Sequence, residues 1–238
     1  MKFETLIFLG IIKTLYVNFK CCRFKDAIKL PIIVSRNTSV LYCKSNCFEF
    51  VGGGKFGILT IGFNRRNNKG LHSSLKIKGK VIVRGNKVHS FGAGCSIDVG
   101  KSAVLDIGDN FICTGDSYIT VRKSIIIGDN NLWSFNEVVM DTDYHYIYDR
   151  NWMQTNISKP VYFGNNIWLA CNCIILKGSS IPSNTVVAAG SLISKVVAEE
   201  NNVISSQGKV LKRDVMWTQY KKKVLTINNS NERTEDTI

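Results

Sequence analysis

Bulky apolar residues recur at every sixth position in the C-terminal half of the chain. From position 163 onward, each step of six reaches one of them: Phe163, Leu169, Ile175, Ile181, Val187 and Ile193. The residue four positions after each of these is Ile167 in the first unit. In the other five units it is small or medium-sized: Cys173, Ser179, Thr185, Ser191 and Val197. An α-helix would repeat apolar positions at three and four, and a strand at two. The period of six therefore predicts a solenoid of short strands, in which each coil buries its apolar residues against stacked neighbours.

The repeat extends upstream with a change of phase. In the same register stand Ile157, Val139, Trp133 and Ile127, whereas Ile107, Cys113, Ile119 and Ile125 form a second set that is offset by two. Similar turns recur at 107–110, 127–130 and 163–166. Residues 55–100 alternate between apolar and polar with frequent glycine, which predicts looser strands of the same solenoid. An ordinary β-sandwich is the weaker alternative, because six consecutive matches are unlike a chance alignment.

A polar segment interrupts the repeat between Val139 and Ile157. It begins MDTDYHYIYD at position 140 and places His145 among three carboxylates. Unpaired buried charge is costly, so the segment is predicted to leave the coil as a loop, where functional residues concentrate. A neutral imidazole can take the proton of an attacking hydroxyl, and a carboxylate can hold its tautomer. Asp143 and Asp141 are both candidates for that carboxylate, and the alternative is a loop histidine that is merely bonded to an acid.

Four segments, in their order and spacing, resemble a known family. They are FKDAIKLPIIVSRN from Phe24, MDTDYH from Met140, NNIWLACNCIILKGSSIPSNTVVAAGSLISK from Asn165 and KVLKRDVMW from Lys209. Together they resemble the hexapeptide-repeat acyltransferases, in the branch that O-acetylates bacterial cell-surface polysaccharides. One departure is the run SSQG at 205–208, where the family usually has Gly-Asn-Pro-Ala. That difference concerns the contact with the adenine of coenzyme A rather than the acyl chemistry.

The resemblance implies an all-β fold, a left-handed parallel β-helix. It is expected to have a basic N-terminal segment with an amphipathic helix over 1–50, the β-helix over 51–204 with a catalytic loop at 141–156, and a short C-terminal helix or tail over 205–238. The resemblance also implies a homotrimer, in which the His145 loop of one chain meets the Trp168 face of the next.

The site residues implied by the resemblance fall into three groups. His145 is the general base, Asp143 supports it, and Asp141 and Tyr144 are expected at the glycan acceptor. Trp168 lines the acyl pocket, and a backbone amide near it stabilises the oxyanion. The pantetheine arm of acetyl-CoA is expected along a groove of small residues, with cations near its phosphates: Ala170, Ala188, Ala189, Gly190 and Ser191, then Lys195, Lys212 and Arg213.

Other chemistries remain as alternatives. N-acylation of an amino-sugar nucleotide would use the same scaffold and base, and a non-enzymatic basic solenoid would bind no coenzyme A. No metal is expected, because His72, His89 and His145 lack the spacing of a zinc site. The eight cysteines form no CxxC pair, so we expect reduced, mostly buried thiols in a cytoplasmic protein.

The positive charge is concentrated at one end of the chain. The net charge of the chain is +13. Residues 1–90 contribute +14 to it, and residues 91–238 contribute −1. Such a surface suits an anionic lipid, an anionic polysaccharide or nucleic acid, or is simply solvated. Nucleic acid is the weakest of these, because the chain contains no helix-turn-helix, zinc-finger or aromatic RNA-binding motif.

The N-terminal segment has two interpretations. Its apolar run, from Leu6 to Ile12, is too short to span a bilayer and predicts an amphipathic helix. The helix packs onto the rest of the protein, or it lies on the inner face of the cytoplasmic membrane with five basic residues near lipid phosphates: Lys13, Lys20, Arg23, Lys25 and Lys29. The polar tail from Lys221 is expected to fray.

Overall fold

The computed structural model describes residues 10–63 and 70–219, which form a left-handed parallel β-helix behind two N-terminal helices. The helices are α1 (Ile11–Cys21) and α2 (Phe24–Ala27). The strands form three sheets, and each sheet is one face of the β-helix. This confirms the solenoid predicted from the period of six and the left-handed β-helix that the family resemblance implies. The predicted N-terminal helix is present from Ile11, whereas Leu6 and the tail from Lys221 lie outside the described residues.

The first face is the nine-stranded sheet. Its order along the β-helix axis is β1 (Ile32–Val34), β4 (Leu59–Phe63), β7 (His89–Gly92), β10 (Ile112–Gly115), β13 (Leu132–Phe135), β16 (Trp168–Leu169), β19 (Val186–Val187), β21 (Val203–Ile204) and β22 (Val210–Lys212). All of the pairings are parallel except the last, in which β22 folds back against β21.

The other two faces are formed by the intervening strands. The seven-stranded sheet contains β2 (Thr38–Cys43), β5 (Ser73–Ile77), β8 (Ser96–Val99), β11 (Tyr118–Val121), β14 (Val138–Met140), β17 (Ile174–Ile175) and β20 (Leu192–Ile193). The six-stranded sheet contains β3 (Phe48–Phe50), β6 (Lys80–Val83), β9 (Val104–Ile107), β12 (Ser124–Ile127), β15 (Val161–Phe163) and β18 (Ser180–Ile181).

The length of a coil explains both the period of six and its change of phase. In the closing coils, Trp168 pairs with Val186, eighteen residues later, which is three units of six. Two coils earlier, Ile119 pairs with Val139, twenty residues later. The two extra residues are in β11, which turns Val121 inward after Ile119. Because side chains alternate along a strand, one more inward residue adds two positions, which is the observed offset.

The interior of the closing coils is filled as the pattern predicted. All six bulky residues of the register, from Phe163 to Ile193, are at most 3% exposed. The small residues at the corners also point inward and donate hydrogen bonds to corner carbonyls. The Ser179 hydroxyl donates to the Leu176 carbonyl at 2.7 Å, and the Cys173 thiol donates to the Ala170 carbonyl at 2.9 Å. A small residue at a corner therefore both fits the space and satisfies a buried acceptor.

Large aromatic residues occupy the core of the middle coils beneath the first face. The rings of Phe91, Phe111, Trp133 and Phe163 follow one another at centroid distances of 5.1, 5.0 and 4.8 Å. Trp133 is fully buried at the centre of this series. Tilted and edge-to-face aromatic contacts add to the stabilisation from burial, so this series is a major anchor between consecutive coils.

Three features differ from those predicted: the start of the first coil, the position of Ile157 and the structure of the C-terminal segment. The first coil begins at Ile32 rather than at 51, because β1, β2 and β3 already pair with β4, β5 and β6. Coils at this end are longer: Ile32 pairs with Leu59, 27 residues later, so the six-residue pattern does not reveal them. Ile157 is 54% exposed and does not continue the register. After residue 204, where a short C-terminal helix or tail was expected, the described part of the segment contains a three-residue 3-10 helix followed by the strand β22.

Within the described ranges, no helix is both long and apolar enough to cross a membrane. The eight cysteines are all unpaired, and all but Cys171 are buried, as the sequence predicted.

Candidate active site

The predicted loop leaves the β-helix after β14 and returns at β15, so it spans residues 141–160. Its outer part is a short hairpin, in which Tyr148 and Gln154 form an antiparallel bridge. The carboxylate of Asp149 accepts the amides of Asn151 and Met153 at 2.8 and 2.9 Å and closes the tip. An aspartate that bonds backbone amides two and four residues ahead stabilises a turn. The loop is therefore an ordered excursion, and Asp149 has a structural role in it.

Asn156 ties the two sides of the loop together. Its amide nitrogen donates to the His145 carbonyl at 2.7 Å and to the Asp143 carboxylate at 3.0 Å. Its amide oxygen accepts the Ile147 amide at 2.8 Å. These three bonds restrain the backbone on both sides of His145.

Lys177 connects the loop to the next coil. Its ammonium forms an ion pair with Asp143 and donates to the Asn156 carbonyl at 3.1 Å. The bond from Lys177 holds the pKa of Asp143 below its ordinary value, so this carboxylate is ionised near neutral pH. Neither Lys177 nor Asn156 was predicted from the sequence.

The imidazole of His145 is exposed and forms no hydrogen bond to any other described residue. Only the backbone of His145 is held. Its carbonyl accepts a hydrogen bond from the Asn156 side chain, and its amide donates to the Asp143 carbonyl at 2.7 Å. An imidazole that is free at both nitrogens can accept a proton from a bound hydroxyl. In this chain Asp143 supports the backbone of the loop through Lys177 and Asn156 and does not contact the ring.

Asp141 has a different role from the predicted one. It is fully buried, and its two oxygens accept the amides of Arg122 and Lys123 at 2.6 Å each. It follows Met140, which pairs with Thr120, and thus takes the inward position that Val121 occupies one coil earlier. Burial raises its pKa, and the two amides oppose that rise. The prediction that Asp141 contacts the acceptor or the imidazole is therefore wrong, because neither oxygen is accessible.

Tyr144 lies at the base of the loop and is half exposed. Its φ of 63° is in the left-handed region, and its hydroxyl contacts the Thr120 hydroxyl at 3.1 Å. The Arg122 guanidinium lies 5.0 Å from the ring centroid, and Asp98 holds that guanidinium at 2.9 Å. The contact with the acceptor that the family resemblance implies for Tyr144 stays a prediction.

Trp168 is on the first face of the β-helix, whereas the loop emerges between the other two faces. Its ring packs against Trp217 of the C-terminal segment at 6.0 Å, and the Trp217 indole donates to the Asn166 carbonyl at 2.7 Å. The Trp168 amide donates to the Thr185 carbonyl at 3.0 Å, and the Ala170 amide is bonded to the next coil in the same way. The expectation that an amide of this motif stabilises the oxyanion is therefore wrong for these two amides.

Most of the predicted coenzyme A residues do form one column. The turns at Ala170 and Ala188 lie one above the other at the corner between the first and second faces, and the Gly190 amide donates to the Cys171 carbonyl at 3.0 Å. Ala189 and Gly190 are exposed, and a Cβ added at Gly190 would meet nothing within 4 Å. An extended pantetheine arm fits such an open corner of small residues. Ser191 is the exception, because it is buried and its hydroxyl donates to the Ala188 carbonyl.

The predicted phosphate-binding cations lie at separate places. Lys195 follows β20, Lys212 ends β22, and both are exposed. Arg213 is exposed but forms an ion pair with Glu199. Only Lys212 and Arg213 share the C-terminal end of the first face, so the structure does not bring the three cations into one cluster.

The chain is similar to known sugar O-acetyltransferases. No protein-family model matches the chain. The polysialic acid O-acetyltransferase of Neisseria meningitidis is 31% identical over 165 residues, which cover 68% of this chain and 66% of that enzyme. The galactoside O-acetyltransferase of Escherichia coli (strain K12) is 30% identical over 38% of this chain and 45% of its own length. The chain belongs to the hexapeptide-repeat acyltransferases.

A solved structure of the same family, the polysialic acid O-acetyltransferase OatWY, covers 82% of this chain and 90% of its own, with 25% identity and a TM-score of 0.46. As a hexapeptide-repeat acyltransferase, this chain is an enzyme. It carries its exposed histidine on a tied loop and its small-residue corner on regular coils. In one chain these two parts lie at different corners of the β-helix.

Proposed function

We propose that this protein transfers an acetyl group from acetyl-CoA to a sugar hydroxyl of a bacterial surface polysaccharide or of its precursor. The observation that supports this is the exposed imidazole of His145, which has no hydrogen-bond partner among the described residues and stands on a loop whose backbone is held by Asn156. The chain is similar to enzymes named as O-acetyltransferases of polysialic acid and of galactosides, which favours a sugar hydroxyl as the acceptor.

His145 would act as the general base. The imidazole accepts the proton of the sugar hydroxyl as its oxygen attacks the thioester carbonyl, which forms a tetrahedral intermediate. When that intermediate collapses, the bond to sulfur breaks and the imidazolium returns the proton to the leaving thiolate. The products are the sugar ester and free coenzyme A. Asp143, Asn156 and Lys177 would position the loop without touching the reacting atoms.

The donor would lie along the corner column of Ala170, Ala188, Ala189 and Gly190. Because His145 and this column are at different corners of one chain, we propose that the enzyme is a homotrimer in which the loop of one protomer reaches the column of its neighbour. A cytoplasmic location fits the supply of acetyl-CoA and the eight unpaired thiols.

The direct test is to replace His145 by alanine and to measure acetyl transfer with acetyl-CoA. Loss of a general base should lower kcat by about a hundredfold to ten thousandfold. Coenzyme A should still raise the melting temperature, because the donor column is untouched. His72→Ala is the matched control, since His72 is also exposed and lies on a distant coil.

Wild-type rates in the His145→Ala variant would overturn the proposal. Comparing hydroxyl with amine acceptors distinguishes O-acylation from N-acylation of an amino sugar, and preference for the amine would also count against it. If coenzyme A bound neither the wild type nor the His145→Ala variant, a non-enzymatic scaffold would become the better explanation.

A further inference from the structure

Helix α1 is fixed against the first coil by polar side chains on one of its sides. The Asn18 side chain donates to the Ile32 carbonyl at 2.7 Å and accepts the Ile32 amide at 3.0 Å. The Thr14 hydroxyl accepts the Val34 amide at 3.0 Å. These bonds occupy the open edge of β1 and, together with buried Val17 and Cys21, determine which side of α1 faces the protein.

The opposite side of α1 is apolar and exposed. Five large residues on it are between 42% and 84% exposed: Ile11, Ile12, Leu15, Tyr16 and Phe19. The surface continues onto the neighbouring elements with Phe24, Ile28, Leu41 and Tyr42, which are also exposed. A shallow cavity lined by Tyr16, Lys20, Leu41 and Tyr42 joins α1 to β2. We call these nine residues the α1 apolar surface; a patch of this kind marks an interaction site.

Positive charge surrounds the α1 apolar surface. Six basic side chains of α1, α2 and β2 and of their connections are exposed: Lys20, Arg23, Lys25, Lys29, Arg36 and Lys44. Residues 10–47 contain one acidic residue, Asp26, which is buried and accepts the Gly54 amide at 2.8 Å. Lys13 does not belong to this set, because its ammonium donates to the carbonyls of Arg36 and Thr38.

We propose that the α1 apolar surface docks on an anionic lipid bilayer. A helix that lies in the membrane interface inserts aromatic and aliphatic side chains among the acyl chains, while flanking cations meet lipid phosphates. The nine apolar residues and six exposed cations match both requirements. A soluble polyanion would use the cations but would leave Ile12 and Phe24 in water, so the apolar residues favour the bilayer.

Co-sedimentation of the full-length protein with vesicles tests this. Binding is expected to vesicles that contain phosphatidylglycerol and to be much weaker with phosphatidylcholine alone. The substitutions Ile12→Asp and Phe19→Asp should each lower partitioning at least about tenfold, because each removes an inserted apolar group. Lys20→Gln and Lys25→Gln should each lower it about fivefold. Val88→Asp, at an exposed apolar residue on the β-helix, is the matched control and should bind as the wild type does.

Equal binding to neutral vesicles, or unchanged binding of the Ile12→Asp and Phe19→Asp variants, would overturn the proposal. Complete competition by soluble dextran sulfate with no effect of the apolar substitutions would indicate a polyanion site instead. Sedimentation without vesicles tests whether a second copy of the chain occupies the surface instead. If Ile12→Asp lowers the oligomeric mass and the wild type does not bind vesicles, the surface is an interface between copies of this chain.

Discussion

The closing coils, residues 161–204, and the loop at 141–160 are adjacent in sequence but are stabilised in different ways. In the coils, each inward side chain is buried and each buried corner hydroxyl has a backbone partner. In the loop, most side chains are exposed, and order comes from a few polar contacts centred on Asn156 and Lys177.

Because of this difference, we expect the coils to determine the stability of the protein and the loop to determine its chemistry. Burial in the coils contributes free energy in proportion to the apolar area removed from water, so the coils tolerate little change. The loop buries few side chains and leaves the His145 side chain exposed to water. Substitutions in the coils should therefore change the free energy of unfolding, and substitutions in the loop should change the rate of transfer.

The largest expected difference is between two tryptophans. Trp133→Ala removes the fully buried ring between Phe111 and Phe163 and should lower the free energy of unfolding by about 3–5 kcal/mol. Trp152→Ala removes a ring that is 80% exposed at the tip of the loop and should change it by less than about 0.5 kcal/mol. Denaturant unfolding of both variants measures this. Comparable losses in both would show that the loop is part of the folding core.

A smaller effect is expected at Glu137, a fully buried carboxyl inside the coils. One of its oxygens accepts the Cys173 amide at 2.9 Å, and the other has no partner among the described residues. Burial raises its pKa from 4.5 to about 8, so the folded state retains a proton that the unfolded state loses. The contribution of the protonated form is complete below about pH 4.5 and is lost as the pH rises through about 8.

Glu137→Gln should remove this dependence. Relative to the variant, the wild type should lose on the order of a few kcal/mol of unfolding free energy as the pH rises across that window. The measurement is urea unfolding at a series of pH values. Glu200→Gln alters an exposed carboxylate and should keep the wild-type profile. A profile for Glu137→Gln that parallels the wild type would mean that the buried group does not titrate.

The coils could be predicted from the sequence because their information is local. Each inward position needs an apolar or small residue, and the alternation repeats every six residues wherever the strands are short. The phase shift followed the same rule once Val121 was recognised as an additional inward residue. The looser strands at 55–100 were predicted, but the first coil, at 32–50, was not, because the turns at this end are long and of unequal length and leave no constant period.

The site was predicted less completely. His145 and the loop were visible because charge interrupts an apolar repeat. Asn156 and Lys177 were missed because their partners depend on the path of the chain: Lys177 bonds Asp143 from 34 residues away. Two errors did have a signal in the sequence. The position twenty residues before Asp141 is the inward Val121, and an unbroken register at Trp168 implies that its amide is used in the sheet.

A smaller change in stability than at Glu137 is expected at two surface ion pairs, one on the loop and one on the coils. Lys177→Gln removes the pair with Asp143, and Lys76→Gln removes a pair with Asp98 on the regular faces. Exposed pairs contribute little, so each variant should lose less than about 1 kcal/mol of unfolding free energy. Only Lys177→Gln should lower kcat, by about tenfold, because it frees the backbone around His145, the proposed general base.

The two readouts together make this comparison informative. Asp143 has a lowered pKa, so its pairing with Lys177 is present above its ordinary value of 3.8 and is lost as the pH falls below it. The rate difference between wild type and Lys177→Gln should therefore be undiminished at neutral and alkaline pH. Equal rates in Lys177→Gln and Lys76→Gln would show that the loop holds His145 without this ion pair, and positioning would then rest on Asn156 alone.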